Sequence, residues 1–511
     1  MSNSRQHNGD DNANCKEKQL CPDNTIDNNR NSNNSNNDDI TTDYSEPKLP
    51  DKNKNKSFIH FIGPGVISGS ADNDPSTIAT FSQAGAAFGL GFLWLALFQY
   101  PLKLVVQEMC GRVGLVSGSG LAAVIKKKYS RKVVVPIAGL LLIANTINIG
   151  ADIEAMSASM RLMVPQVPFI IGAFLFTAVI LLSVIFIPYK KYVKVLKYLT
   201  ITLFTYVITG LIVGGNWSHI ITSSFIPHFE LNAKFALIFV AMFGTSISPY
   251  IFFWQASEEV EEQRAKGKKR GKSTDDNNAF GRGGANAAIF SSRPITKGDR
   301  YDNNKKETRT LEKEEVKIMR KDVAIGMAFS QIIMWFIIVT AAGSLNAHGI
   351  TDIRSTEQAA SALEPLVNSF PFSGFISKAI FAIGIIGTGL LSIPVLAASS
   401  GYAMADGFGW KEGLDKKFKQ AKAFYLVIAA STLVGFWMDF VNIDPIKALI
   451  YAAIINEIIS LPILIVLMKI TNDKRILGSR TNRRVSNVAG WVTIAIMAVS
   501  ILIILNFWNQ Q

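Results

Sequence analysis

The feature that most limits what this chain can fold into is a series of eleven apolar blocks. They lie near residues 58–87, 90–115, 133–163, 168–188, 196–215, 233–256, 319–343, 374–404, 422–438, 445–469 and 487–508. A helix of about 20 residues crosses a hydrocarbon layer, and inside it each backbone N–H and C=O must be satisfied within the segment. The chain is therefore expected to be an all-α integral membrane protein of about eleven transmembrane helices. Composition agrees: 49% of the 511 residues are hydrophobic and 18% charged, against about 25% charged in ordinary soluble domains.

The charges that remain are placed by rule. Lys52, Lys54 and Lys56 precede the first block, and Lys126, Lys127, Lys128, Arg131 and Lys132 separate the second and third. Lys190, Lys191, Lys194 and Lys197 follow the fourth, Lys411, Lys416, Lys417 and Lys419 the eighth, and Lys474, Arg475, Arg480, Arg483 and Arg484 the tenth. The loop after the sixth is also basic, whereas the intervening loops are nearly free of Lys and Arg. Basic loops stay in the cytoplasm, so the N-terminus is expected inside and the C-terminus outside, an arrangement that needs an odd number of spans. The net charge of +13 is thereby a topological signal, and no nucleic-acid partner is expected. The lipid bilayer is the partner that composition implies, in a multi-pass protein placed in the cell membrane.

Residues 1–56 are rich in Asn, Asp and Ser and lack the apolar surface that folding requires. They read as a disordered cytoplasmic tail ahead of a transmembrane domain at 57–508. No apolar run occurs in the first 50 residues, so no cleaved signal peptide is expected. Residues 257–317 read as a disordered basic cytoplasmic loop, with a short helix resuming near 311–320. Cys15 and Cys21 fall in the tail and Cys110 in an apolar block, a distribution that supports neither a disulfide framework nor a cysteine metal site. There is no Ser/His/Asp arrangement and no phosphate-binding loop, so neither an enzyme nor an ATP-driven pump is expected.

Two blocks are interrupted where an uninterrupted helix would be cheapest. The first reads Gly63-Pro64-Gly65-Val66-Ile67-Ser68-Gly69-Ser70-Ala71-Asp72-Asn73-Asp74-Pro75-Ser76-Thr77. Pro75 has no N–H, and its ring disfavours helix at Asp74, which frees carbonyls at bilayer depth. Such groups are tolerated where they line a cavity or hold something. Asp72 and Asp74 beside free carbonyls make an oxygen-rich, negative site suited to a cation; the plain alternative is a proline kink with locally satisfied side chains. The sixth block repeats the device in Phe243-Gly244-Thr245-Ser246-Ile247-Ser248-Pro249-Tyr250. Interrupted helices at matching positions of two halves point to a transporter's substrate site.

Gly63-Pro64-Gly65 followed by Asp74-Pro75-Ser76-Thr77 resembles the first-helix signature of the Nramp divalent-metal transporters, GPG followed by DPGN. The family's MPH signature in the sixth helix falls on Ser248-Pro249-Tyr250. The resemblance covers residues 58 to about 508. It implies a LeuT-type fold of inverted five-helix repeats, alternating access, and a metal ion held between broken helices 1 and 6. No resident cofactor is implied, because the metal is cargo. Carried over by position, Asp74 would be the principal metal ligand, Thr77 would replace the family's Asn, Thr245 would offer its carbonyl, and Ser248 would stand where the family has a metal-ligating Met. Asp72, Tyr250, Asp152, Glu154 and Asn456 are further polar candidates.

The departures from the family pattern bear on selectivity. A thioether favours softer transition metals, whereas hydroxyl, carboxylate and carbonyl oxygens suit Mg²⁺, Mn²⁺ or Ca²⁺. Ser248 and Thr77 also leave room for the waters that Mg²⁺ retains. The pattern resembles the divergent Nramp-related branch that includes magnesium transporters. Tyr250 replaces a His that titrates near neutral pH. Ala155 holds the place of the family's third-helix Glu, so Glu154 faces about 100° away. The expectation is import of Mg²⁺ or Mn²⁺ with proton coupling weak or absent. The alternatives are a proton-coupled Mn²⁺/Fe²⁺ symporter of ordinary Nramp type, a symporter for a small organic solute on the same fold, and a membrane sensor that has kept the fold and lost flux.

Overall fold

The computed structural model describes residues 64–187, 200–230, 232–271, 303–367, 372–438 and 444–508. The expectations for the tail at 1–56, with Cys15 and Cys21, and for the stretch 272–302 lie outside the described residues. Among the described residues the secondary structure is helical, with turns and no strand.

The first apolar block is two helices, α1 (Pro64–Ala71) and α2 (Pro75–Phe88). There follow α3 (Leu93–Ser117), a short α4 (Leu121–Tyr129), α5 (Arg131–Met163), α6 (Phe169–Phe186), α7 (Phe204–Val213) and α8 (Trp217–Phe225). The sixth block is again double, α9 (Ala233–Ser246) and α10 (Pro249–Gly271). The remaining long helices are α11 (Asn303–Ser344), α12 (Ser373–Phe408), α13 (Lys422–Met438), α14 (Pro445–Thr471) and α15 (Arg484–Trp508). Eight helical stretches among the described residues are long and apolar enough to cross a membrane. One of them, Pro75–Ser117, is 43 residues long and turns at Gly89, whose φ of 57° a residue with a Cβ adopts only under strain. It therefore accounts for two passes. The shorter apolar helices Phe204–Val213 and Lys422–Met438 fall on the expected fifth and ninth spans. The eleven blocks each have their helix.

The expected loop at 257–317 is shorter than its composition implies. Helix α10 runs on to Gly271 and α11 already begins at Asn303, so polar, charged sequence has been drawn into extensions of the two flanking helices. Two of the glutamates that follow the sixth block are held by hydrogen bonds. Glu259 is 4% exposed and accepts from Gln255 Nε2 at 2.9 Å. Glu261 accepts from Tyr402 Oη at 2.6 Å and from the Leu414 N–H at 3.0 Å. The two bonds to Glu261 tie α10 to α12 and to the loop that follows it. Glu108 and Arg112 form an i,i+4 pair at 3.1 Å, extended by Arg320 on α11 at 2.7 Å from Glu108.

The packing repeats under exchange of halves. Helices α1 and α2 lie against α11, and in the second half α10 lies against α3. Helices α5 and α12, third in each half, pack against one another along their length. Several of these contacts are backbone on backbone. A Cβ placed on Gly69 would overlap the Gly326 carbonyl, and one placed on Gly326 would overlap the Gly65 carbonyl. In the second half a Cβ on Gly244 would overlap the Ala453 carbonyl. Close approach of this kind is how membrane helices gain van der Waals attraction when lipid offers no hydrophobic drive.

Gly326→Leu is expected to force α1 off α11 and to cost about 1–3 kcal/mol, seen as a lower unfolding temperature in detergent. Gly139→Leu, where a Cβ meets nothing within 4 Å, is the control and should leave it unchanged. A second test concerns Glu412, beyond the end of α12. Burial, reinforced by the neighbouring Asp406 carboxylate, pushes its carboxyl up to about 9. The folded state then holds a proton that the unfolded chain releases near 4.5, so this group's contribution falls as pH rises from about 5 to 9. The unfolding temperature of Glu412→Gln should fall less steeply over that window.

Candidate functional site

Both interruptions are built by proline and sealed by side chains. At the first, α1 stops at Ala71 and the chain runs through Asp72, Asn73 and Asp74 before α2 begins. Asp74 is the N-cap of α2, with φ −69° and ψ 170°. Its Oδ1 accepts from the Thr77 N–H at 2.8 Å and from Ser76 Oγ at 2.7 Å. A cap of this kind contributes about 1 kcal/mol and fixes which way the carboxylate points. The carbonyls released by the break are not left bare. Tyr250 Oη donates to Ala71 O at 3.1 Å, Thr77 Oγ1 to Asp72 O at 2.8 Å, and Asn73 Nδ2 to Gly69 O at 3.1 Å. At the second break Ser248 Oγ lies 2.7 Å from both Gly244 O and Thr245 O.

The second carboxylate oxygen of Asp74 faces the bundle centre. Asn148 Nδ2 on α5 lies 3.4 Å from Asp74 Oδ2 and 3.4 Å from Asp152 Oδ2, one turn along the same helix. Tyr250 Oη stands 3.5 Å from Asp74 Oδ2. Ser392 Oγ on α12 donates to Asp152 Oδ2 at 3.3 Å, and Asn456 Nδ2 on α14 to Asn148 Oδ1 at 3.4 Å. Five helices thus meet at two carboxylates bridged by one amide. All six side chains are buried, Asp74 at 2% exposure being among the most accessible. Several bonds are long, and acceptors are in excess. Asn456 Oδ1 is buried without a donor, and Asp152 Oδ1 takes no well-formed hydrogen bond. Unmatched buried oxygens around two carboxylates are costly without a positive charge between them.

Of the residues expected from sequence, the structure brings Asp74, Asp152, Tyr250 and Asn456 into this cluster. Thr77, Thr245 and Ser248 sit at the two breaks, with the hydroxyls of all three turned onto nearby backbone carbonyls. Asp72 faces elsewhere: its carboxylate is ion-paired with Lys103 on α3 and accepts from Ser330 Oγ at 2.6 Å. Glu154 stands off the cluster, on the side of α5 toward Asp444, as its place in the helix turn predicts. Sequence reasoning did not give Asn148 its bridging role, and it missed Ser392 and Lys103 altogether. The spacing of Asn148 and Asp152 was a usable signal, since residues four apart share a helix face.

The model of the family "natural resistance-associated macrophage protein-like", Nramp, matches residues 65–506. The chain belongs to the Nramp family. Among its relatives is the divalent metal cation transporter MntH of Klebsiella pneumoniae (strain 342), 22% identical over 448 residues, which cover 86% of this chain and 92% of that one. Among solved structures, the Eremococcus coleocola manganese transporter in complex with an aromatic bis-isothiourea substituted compound superposes with a TM-score of 0.59 at 17% identity, covering 88% of this chain and 87% of that one. Mhp1, a nucleobase-cation-symport-1 transporter, superposes at 0.50 with 10% identity, covering 87% and 93%. The Nramp fold with its two broken helices is therefore the fold of this chain.

Asn148 reaches both carboxylates with one amide group. Asn148→Leu takes that donor away from both buried oxygens and is expected to cost about 1–3 kcal/mol, seen as a lower unfolding temperature in detergent.

Proposed function

We propose that this chain carries a hard divalent cation, Mg²⁺ or Mn²⁺, into the cytoplasm by alternating access, with proton coupling weak or absent. The observation that carries the reading is the pair Asp74 and Asp152, joined through Asn148 with unmatched oxygens around it. Two carboxylates balance one divalent ion, and an all-oxygen surround suits Mg²⁺, Mn²⁺ or Ca²⁺ over softer metals. Asp74 is the principal ligand, and the Thr245 carbonyl at the C-terminal end of α9 adds the negative end of a half-helix dipole. Thr77 and Ser248 offer lone pairs from hydroxyls whose protons already point at carbonyls, and Asn456 supplies a side-chain oxygen. The metal transporters among the relatives support the substrate class.

Weak proton coupling follows from what stands at the second signature. Tyr250 holds the place of a group that would exchange protons at neutral pH; a phenol, unlike an imidazole, does not titrate there, and its hydroxyl is engaged with Ala71 O. Entry of a divalent ion is then driven by the membrane potential, about 2.3 kcal/mol per charge per 100 mV. The N-terminus lies in the cytoplasm and the C-terminus outside, as the distribution of basic loops requires.

The reading is tested by Mn²⁺ uptake into proteoliposomes, with excess Mg²⁺ as competitor and a pH dye inside. Uptake that Mg²⁺ suppresses, that Asp74→Ala abolishes and that leaves the internal pH unchanged is the expected result. Acidification in step with Mn²⁺ entry, indifferent to Mg²⁺, would establish an ordinary proton-coupled manganese carrier instead. Ser248→Met should move preference toward Mn²⁺ and Cd²⁺ at the expense of Mg²⁺ in the same assay.

A further inference from the structure

The first break carries two carboxylates, yet a single one of them faces Asn148 and Tyr250. The other is held by Lys103. The Lys103 ammonium is ion-paired with Asp72 Oδ2 and lies 3.0 Å from Ser330 Oγ on α11, which itself donates to Asp72 Oδ2 at 2.6 Å. Asp72, Lys103 and Ser330 are each 0% exposed. A buried ion pair is weak evidence of a stabilising role, because well-packed apolar residues do as well or better in its place. What apolar residues cannot do is hold a carboxylate in one place and cancel its charge. Asp72 is two residues from Asp74, and its own carbonyl accepts from Thr77 Oγ1. Whatever fixes the Asp72 side chain therefore also fixes the non-helical link on which Asp74 is mounted.

We propose that Lys103 is a positioning and selectivity-determining residue for the cation site. By claiming Asp72 it leaves two carboxylates, Asp74 and Asp152, facing the substrate, a charge that one divalent ion balances. Lys103 is also within electrostatic reach of Asp74, so its ammonium lowers the attraction of the site for a cation to a level that permits release. This inference rests on the reading of Asp74 as the cation ligand.

Removing the ammonium frees Asp72 to add its charge, and an added carboxylate near a cation site strengthens binding and slows release. In Mn²⁺ uptake by proteoliposomes, Lys103→Met is expected to lower the apparent KM by about tenfold and to lower kcat with it. Lys103→Arg, which keeps the charge and the donors, should behave as the native protein. The double variant Asp72→Asn with Lys103→Met should return KM to within about threefold of native, because the effect acts through Asp72. A merely structural role would lower yield and kcat in both variants and leave KM in place. The inference is overturned if Lys103→Met leaves KM unchanged or raises it, or if the double variant matches the single one. Asp74→Ala separates the two readings. If it retains native uptake, the cation site itself is misassigned; if it abolishes uptake while KM ignores Lys103, Lys103 alone is.

Discussion

The rest of this structure depends on how backbone groups freed inside a hydrocarbon layer are satisfied. A proline in mid-membrane removes a donor and strands carbonyls, and lipid offers nothing in exchange. Here each of two breaks is repaired from nearby. Tyr250, across from the first break, donates to Ala71 O, Thr77 reaches back to Asp72 O, and Ser248 turns onto the last carbonyls of α9. The repair couples the two broken helices, because the Tyr250 hydroxyl belongs to one and its acceptor to the other. That coupling is what places the Asp74 carboxylate at the centre of the bundle.

Burial then sets the chemistry. A carboxylate in such a place is tolerated when something positive or hydrogen-donating stands against it, and the structure uses two different solutions within three residues. Asp72 has a lysine. Asp74 has hydrogen bonds on one oxygen and a loose set of polar neighbours on the other. The first arrangement is closed by an ion pair, whereas the second leaves acceptor oxygens over.

Much of this was legible in the sequence, for reasons specific to membranes. Period and length locate the spans, because hydrocarbon thickness is a fixed ruler, and basic loops alternate because translocation discriminates against them. Pro75 and Pro249 announce the breaks. What could not be read was which polar side chain faces which. Asp72 and Asp74 look equivalent on the page, and Lys103 lies 31 positions from its partner Asp72 in an apolar stretch where it could have faced any neighbour. Glu261 falls in the stretch that composition assigns to a disordered loop, whereas a tyrosine hydroxyl and a backbone N–H hold it in place. Asn148 lacked weight because a single amide carries no signature until the groups on both sides of it are known.

The contact between α1 and α11 has a mechanical side. Gly65 and Gly69 meet Gly326 backbone to backbone, so the surface there is smooth where most helix contacts are toothed. A smooth contact does not by itself set the register of one helix on another. What sets it for α1 is its two tied ends: the Gly65 N–H on the Asp322 carboxylate of α11 at 2.6 Å, and Asp72 paired with Lys103. The half-helix is a bar clamped at its ends and bare along its middle.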